Sequence, residues 1–124
     1  MGLREVPLTI RTASGEQRFR VTVASTIPEQ EKGLMFVRSL APDAGMIFPY
    51  NPPQEVGFWM KNTLIPLDMI FVGTDGRIIR VATDQPESLD TVWSGGPTAA
   101  VLEINGGRAA QLGIKAGDEV NWPH

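Results

Sequence analysis

Cysteine is absent from the 124 residues, which removes thiolate nucleophiles, disulfides and thiolate metal sites but leaves the compartment open, since exported proteins can also lack it. Histidine is reduced to one residue, His124. It is the final residue, where chains tend to fray, so neither a Ser-His-Asp triad nor a histidine-rich zinc site is expected. There is no excess of positive charge: 11 Lys and Arg stand against 14 Asp and Glu, for a net charge of -3. The basic residues are scattered, so neither nucleic acid nor an anionic membrane is an expected partner. No apolar run approaches the roughly 20 residues that span a bilayer. Nor does Met1-Gly2 begin a signal peptide; it leads straight into polar, strand-like sequence, which fits a cytoplasmic protein or one whose export leader has been removed. Gly95-Gly96 and Gly106-Gly107 lack the Lys and Ser/Thr spacing of a phosphate-binding loop, and no cofactor motif is found.

What is present suits one domain, residues 1–124, with an ordinary apolar fraction of 42%. VPLTIRT and QRFRVTVA alternate apolar with polar residues around Ser14-Gly15-Glu16, the pattern of a β-hairpin. Thr26 and Glu29 form a capping-box pattern with Pro28 in the first turn, which predicts a helix from Ile27 to Phe36 or Arg38 that buries Leu34 and contains Gly33. Met46-Ile47-Phe48 reads as a strand ended by Pro49, and Tyr50 to Glu55 as a proline-rich loop at the rim of a groove. Gly73-Thr74-Asp75-Gly76 is a hairpin turn into Arg77 to Ala82. Thr83 to Gly96 reads as loop, Ala99 to Ile104 as a strand, Arg108 to Leu112 as a helical turn closed by Gly113, and Glu119 to Trp122 as a last strand. The fold class expected is mainly β (α+β): an antiparallel fold, barrel-like or clam-like, with two short helices.

The most informative stretch is Phe58 to Val72, FWMKNTLIPLDMIFV, in which Lys61, Asn62, Thr63 and Asp68 lie between two apolar runs and Pro66 forbids continuous helix or strand. Polar residues at a bend between apolar segments are a rigid display, so Trp59, Lys61, Asn62, Thr63 and Asp68 are candidate ligand-binding residues, with Trp59 as wall or floor. Lys61 and Asp68 admit three readings: a pair that fixes the bend, with Asp68 accepting from the Asn62-Thr63 turn; a ligand contact; or an acid and base tuned by burial. Arg38 and Glu103 join the candidates as charges in apolar surroundings. Their alternatives are a solvated helix face for Arg38, as for Glu31, and an ion pair at a strand's end for Glu103. Glu31, Asp68 and Glu103 could form a carboxylate metal site, but no EF-hand loop or carboxylate run supports one, and no metal is expected. Met35, Met46, Met60 and Met69 lie in apolar segments without a metal-binding repeat and read as packing. Trp59 is either a core residue or a stacking platform for a sugar or peptide.

Several blocks also carry a resemblance. Glu29-Gln30-Glu31-Lys32-Gly33-Leu34-Met35, Arg38-x-Leu40, Gly45-Met46-Ile47-Phe48, Phe58-Trp59-Met60-Lys61-Asn62-Thr63, Ile65-Pro66-Leu67-Asp68, Val101-Leu102-Glu103 and Gly117-Asp118 resemble, in order, the domain of unknown function 192 family, also described as the uncharacterised ACR family. The likeness covers nearly the chain from Val21 to Val120. It implies a compact, mostly β fold and, because many members carry an export signal or lipoprotein leader, an exported, periplasmic protein; it implies no reaction. A second likeness, of Gly107 to Val120 to the latter part of a PDZ domain, is architectural, because the Gly-Leu-Gly-Phe-type carboxylate-binding loop is missing. The function expected is a non-enzymatic binding or accessory module of the cell envelope, with a small-molecule, saccharide or peptide ligand in a groove beside the bend. The alternative is a small hydrolase or lyase using Lys61 and Asp68.

Overall fold

The computed structural model describes residues 3–124; Met1 and Gly2, where the absence of a leader was read, lie outside them. Strands β1 (Glu5–Thr12) and β2 (Gly15–Val23) form the expected hairpin, with Thr12 opposite Gly15 so that Ala13-Ser14 is the turn. Alternation works as read: Val6, Leu8, Ile10, Phe19, Val21 and Val23 turn to one side and are buried. Helix α1 (Ile27–Lys32) carries the capping box, with Glu29 N–H donating to Thr26 Oγ1 at 3.3 Å and Thr26 N–H to Glu29 Oε1 at 3.0 Å. It is shorter than expected. Gly33 ends it at φ 48°, a conformation open to glycine, and Leu34 is buried beyond the helix while the helix itself buries nothing.

Strand β3 (Ala44–Gln54) overturns the expected stop at Pro49, and most of the supposed loop from Tyr50 to Glu55 is strand. Of β3, only Ala44 to Ile47 pair with β2. Beyond Ile47 that edge of β3 has no strand partner among the described residues, so a proline's missing N–H costs no ladder bond there, and the pairing on the other edge slips between Pro49 and Gln54. The chain continues through β4 (Gly57–Phe58), β5 (Leu67–Gly73), β6 (Ile78–Asp84), β7 (Val92–Trp93), β8 (Thr98–Asn105), α2 (Arg108–Leu112) and β9 (Glu119–Asn121). β7 lies in the segment expected to be loop and pairs with β4 as a separate two-stranded sheet. Every residue of β5 is buried. Burial of each of its Leu, Met, Ile, Phe and Val side chains contributes about 1.5–3 kcal/mol.

The main sheet has seven strands in the order β6-β5-β8-β3-β2-β1-β9. It is mixed rather than antiparallel, because β2 and β3 run parallel and the segment containing α1 makes the crossover such a pair requires. The sheet curls until its ends meet at the Arg77–Glu119 bridge, but it does not close into a barrel, since short β9 leaves most of the β6 edge unpaired. One buried cluster fills the inside of the curl and includes Leu8, Val21, Ile70, Leu102, Ile104 and Ala109 of α2. A second lies on the outer face, with Met46, Phe48, Met60, Met69, Phe71 and Val101. It is covered by the α1 segment and the β4/β7 pieces. Along β8, Ala100, Leu102 and Ile104 therefore face inward, while Val101 and Glu103 face outward. No helix among the described residues is long and apolar enough to cross a membrane.

Candidate functional site

Glu103 occupies a position that a strand in mid-sheet would ordinarily give to an apolar side chain. Its backbone pairs with Met46 of β3 on one side and Met69 of β5 on the other. It is only 4% exposed. Neither an ion pair nor a hydrogen bond to its carboxyl is found among the described residues, where the salt bridges are Arg18–Glu16 and Arg20–Glu5. The expected ion pair at a strand's end is thus replaced by an unpartnered acid inside the strand. Burial without a compensating charge disfavours the carboxylate and pushes the group up to about 8.

The carboxyl faces a cavity of about 260 Å³. Its walls come from three separated segments: Gln30 to Met35 of α1 and its tail, Phe48 and Tyr50 of β3, and Gly57 to Trp59 with Thr63. Phe58 meets Phe48 edge to face at 5.1 Å and 82°, and Phe71 at 6.3 Å, so one wall is a packed aromatic series. The α1 side is pinned by one side chain, as Gln30 Nε2 donates to the carbonyls of Ala24 at 3.0 Å and Pro49 at 2.9 Å. The Tyr50 hydroxyl is raised above its ordinary value by burial and then by the nearby Glu103 charge.

The bend itself is built differently from the expectation. Thr63 N–H donates to the Met60 carbonyl at 3.0 Å, closing a turn in which Asn62 takes φ 57°, a conformation asparagine tolerates better than most residues. Asn62 N–H donates to Glu87 Oε1 at 2.9 Å, and its carbonyl accepts from Phe36 N–H at 2.8 Å. Asn62 is therefore a turn residue. Neither it nor Lys61 lines the cavity; Lys61 is exposed, with Nζ 5.3 Å from the centroid of the Trp59 ring. Trp59 is 47% exposed and forms part of the rim, and Thr63 is a buried lining residue.

Asp68 is buried and fully bonded, but not to the bend. As an even-numbered residue of β5 it points into the curl, where its Oδ1 accepts from Thr83 Oγ1 at 2.5 Å and Gly107 N–H at 3.0 Å, and its Oδ2 from Ala109 N–H at 2.8 Å. Gly107, the N-cap of α2, has no side chain to cap the helix, and Asp68 supplies that acceptor from another strand. The sheet thus separates Asp68 from Glu103, and no ion pair joins it to Lys61, so the proposed acid and base pair is not assembled. The same separation breaks up Glu31, Asp68 and Glu103 as a metal set, and no group of three metal-ligating side chains occurs among the described residues. Arg38 is exposed and lies outside the cavity, whereas Glu31 lines it. Met46, Met60 and Met69 are core residues, and Met35 lines the cavity. Tyr50, Gln30 and Phe58 are lining residues that sequence reasoning missed. Tyr50 and Phe58 carried a signal, as aromatics in the segments assigned to the rim and to the display, whereas Gln30 carried none.

The comparisons agree with this architecture. The model of the domain of unknown function 192 family, uncharacterized ACR, matches residues 9–122. A crystal structure of a protein of unknown function from Novosphingobium aromaticivorans is 52% identical, with a TM-score of 0.95 over 97% of this chain and 86% of that one. A Sinorhizobium meliloti protein, provisionally described as a transcription regulator, is 36% identical with a TM-score of 0.94 over 98% of this chain and 96% of that one. No curated protein matches. A family match across residues 9–122, together with identities of 52% and 36% over nearly the whole chain, makes this protein a member of the uncharacterized ACR family.

Proposed function

We propose that the protein is a non-catalytic binding module that admits a small ligand, or the end of a larger one, into the cavity over Glu103. The observation that carries this reading is a carboxyl 4% exposed, without a protein partner among the described residues, and facing open space. Burying an ionisable group in this way is costly unless something arrives to satisfy it. At about 260 Å³ the cavity is smaller than the roughly 300–1,000 Å³ of sites for drug-sized ligands, which favours a compact head group. Trp59, Thr63 and Glu31 are its proposed contacts besides Glu103. Lys61 acts from the rim through Trp59, and Asn62, Asp68 and Arg38 have no direct part.

A carboxyl raised to about 8 could also serve as a general acid, which favours catalysis as a second reading. A reaction needs a complementary base or nucleophile against the same space. Tyr50 does not supply the base, because its hydroxyl is pushed further from ionisation. A transcription-regulator role like that in the Sinorhizobium meliloti description, if exercised through nucleic acid, has little support from a net charge of -3. An envelope location remains part of the proposal on the family resemblance alone, and fractionation of cells expressing the full-length gene tests it. For binding, a titration of labelled protein with small amines, carboxylates, saccharides and dipeptides should shift amide or indole signals of Gly33, Trp59 and Thr63. If no compound moves these signals, or all act elsewhere, the reading fails.

A further inference from the structure

Accepting that reading of the cavity, we infer that its ligand presents a protonated alkylamine to Glu103, held between the carboxyl floor and the aromatic walls. Three observations converge on a cation. Among the described residues the buried charged group at the floor is an acid, and it has no protein cation as partner. Phe48, Tyr50, Phe58 and Trp59 line the same space, and aromatic faces attract ammonium groups while repelling anions. The rim already shows this preference, with the Lys61 ammonium 5.3 Å from the Trp59 ring centroid.

The surrounding charges are few. From α1, Glu31 and Lys32 reach the lining, one charge of each sign and both exposed to solvent. β3 contributes Tyr50, β5 contributes the neutral Met69, and the Trp59–Thr63 segment contributes Lys61 outside the cavity. Asp68 faces the other side of the sheet. An arriving ammonium would meet one buried carboxyl without a protein cation beside it, and burial of that carboxyl strengthens the pairing relative to one in open water. An alcohol would satisfy the carboxyl but gain little from the rings, and a carboxylate ligand would face both a second acid and the negative ring faces. Glu103 is raised to about 8 by burial, so pairing with an ammonium below that pH releases its proton to solvent.

Three probes of equal length separate the possibilities: n-butylammonium, n-butanol and butyrate, titrated into the intact protein from pH 6 to 9 at constant ionic strength and followed by signals of Trp59, Thr63 and Gly33. An alkylamine stays protonated throughout this range. Butylammonium should bind best, with affinity rising about tenfold per pH unit up to about pH 8 and then levelling, because below that pH the carboxyl must first lose its proton. Glu103→Gln should lose at least tenfold in butylammonium affinity together with the pH dependence, and a preserved amide spectrum would show that it folds. Glu31→Gln should keep the pH dependence. Binding of butanol or butyrate as tight as butylammonium, a flat pH profile, or butylammonium binding unchanged in Glu103→Gln overturns the amine assignment while leaving a binding cavity. Silence from all three probes overturns both.

Discussion

Replacing Glu103 by glutamine should make the protein more stable at neutral and alkaline pH and remove most of its pH dependence there. In the folded chain burial raises this carboxyl from the ordinary 4.5 to about 8, whereas in the unfolded chain it ionises normally. The folded state therefore holds more protons between those values, and stability must fall as pH rises from about 4.5 through about 8 and level off above. The full displacement corresponds to roughly 5 kcal/mol at high pH, of which roughly 2 kcal/mol is lost between pH 6 and pH 8. Glutamine has nearly the same shape and no charge to desolvate, so its stability should stay level across that interval. Urea unfolding at half-unit steps from pH 5 to 9 measures this directly. With one histidine and no cysteine, few other side chains titrate in the window. A wild-type stability that is flat or rising from pH 6 to 8, or an equal decline in Glu103→Gln, would refute the assignment of a buried, unpartnered acid.

Asp68→Ala removes the acceptor for Thr83, Gly107 and Ala109 and should cost roughly 3 kcal/mol in urea unfolding, with early loss of amide protection in α2; an unchanged midpoint would exclude its capping role. Thr26→Ala should cost about 1 kcal/mol through the capping box of α1, and the same assay checks it. At Asn62, held at φ 57°, glycine should be tolerated within a few tenths of a kcal/mol while valine costs about 1–2 kcal/mol; equal thermal midpoints for the two variants would contradict the turn geometry. Gly45→Ala would place Cβ 2.5 Å from the Glu103 carbonyl oxygen, a backbone atom that cannot step aside, so a loss of about 1–3 kcal/mol is expected, and a crystal structure of the variant should show β3 displaced from β8.

Much of the fold was legible because its signals are local. Alternation at Val6, Leu8 and Ile10 marks the first hairpin, Thr26 with Glu29 marks the start of α1, and Gly73 to Gly76 marks the turn between β5 and β6. Where reading failed, the deciding partner was distant. The proline run of β3 is harmless only because β2 has already ended beside it, which no feature between Pro49 and Pro53 reveals. Of the readings open to Asp68, a structural one matches its burial and bonding, but its partners at Gly107 and Ala109 lie 39 and 41 residues away, and only the nearby Asn62-Thr63 turn is visible locally as a donor. Glu103 was visible as an acid among apolar residues. That it faces a cavity follows only from the parity of β8 and from three chain segments that meet nowhere in the sequence.

Glu103 and part of the cavity wall stand on different parts of the architecture, which makes the two unequally replaceable. The acid is fixed in a strand with neighbours on both sides, and its companions Leu102 and Ile104 serve the opposite face. Gln30, Glu31, Phe58 and Trp59 stand on pieces outside the seven-stranded sheet. A lineage could exchange these wall residues, and with them the shape of the molecule admitted, while the inner cluster and its contribution to folding stay untouched. One scaffold could in this way serve a succession of ligands that share a charged end and differ in everything attached to it.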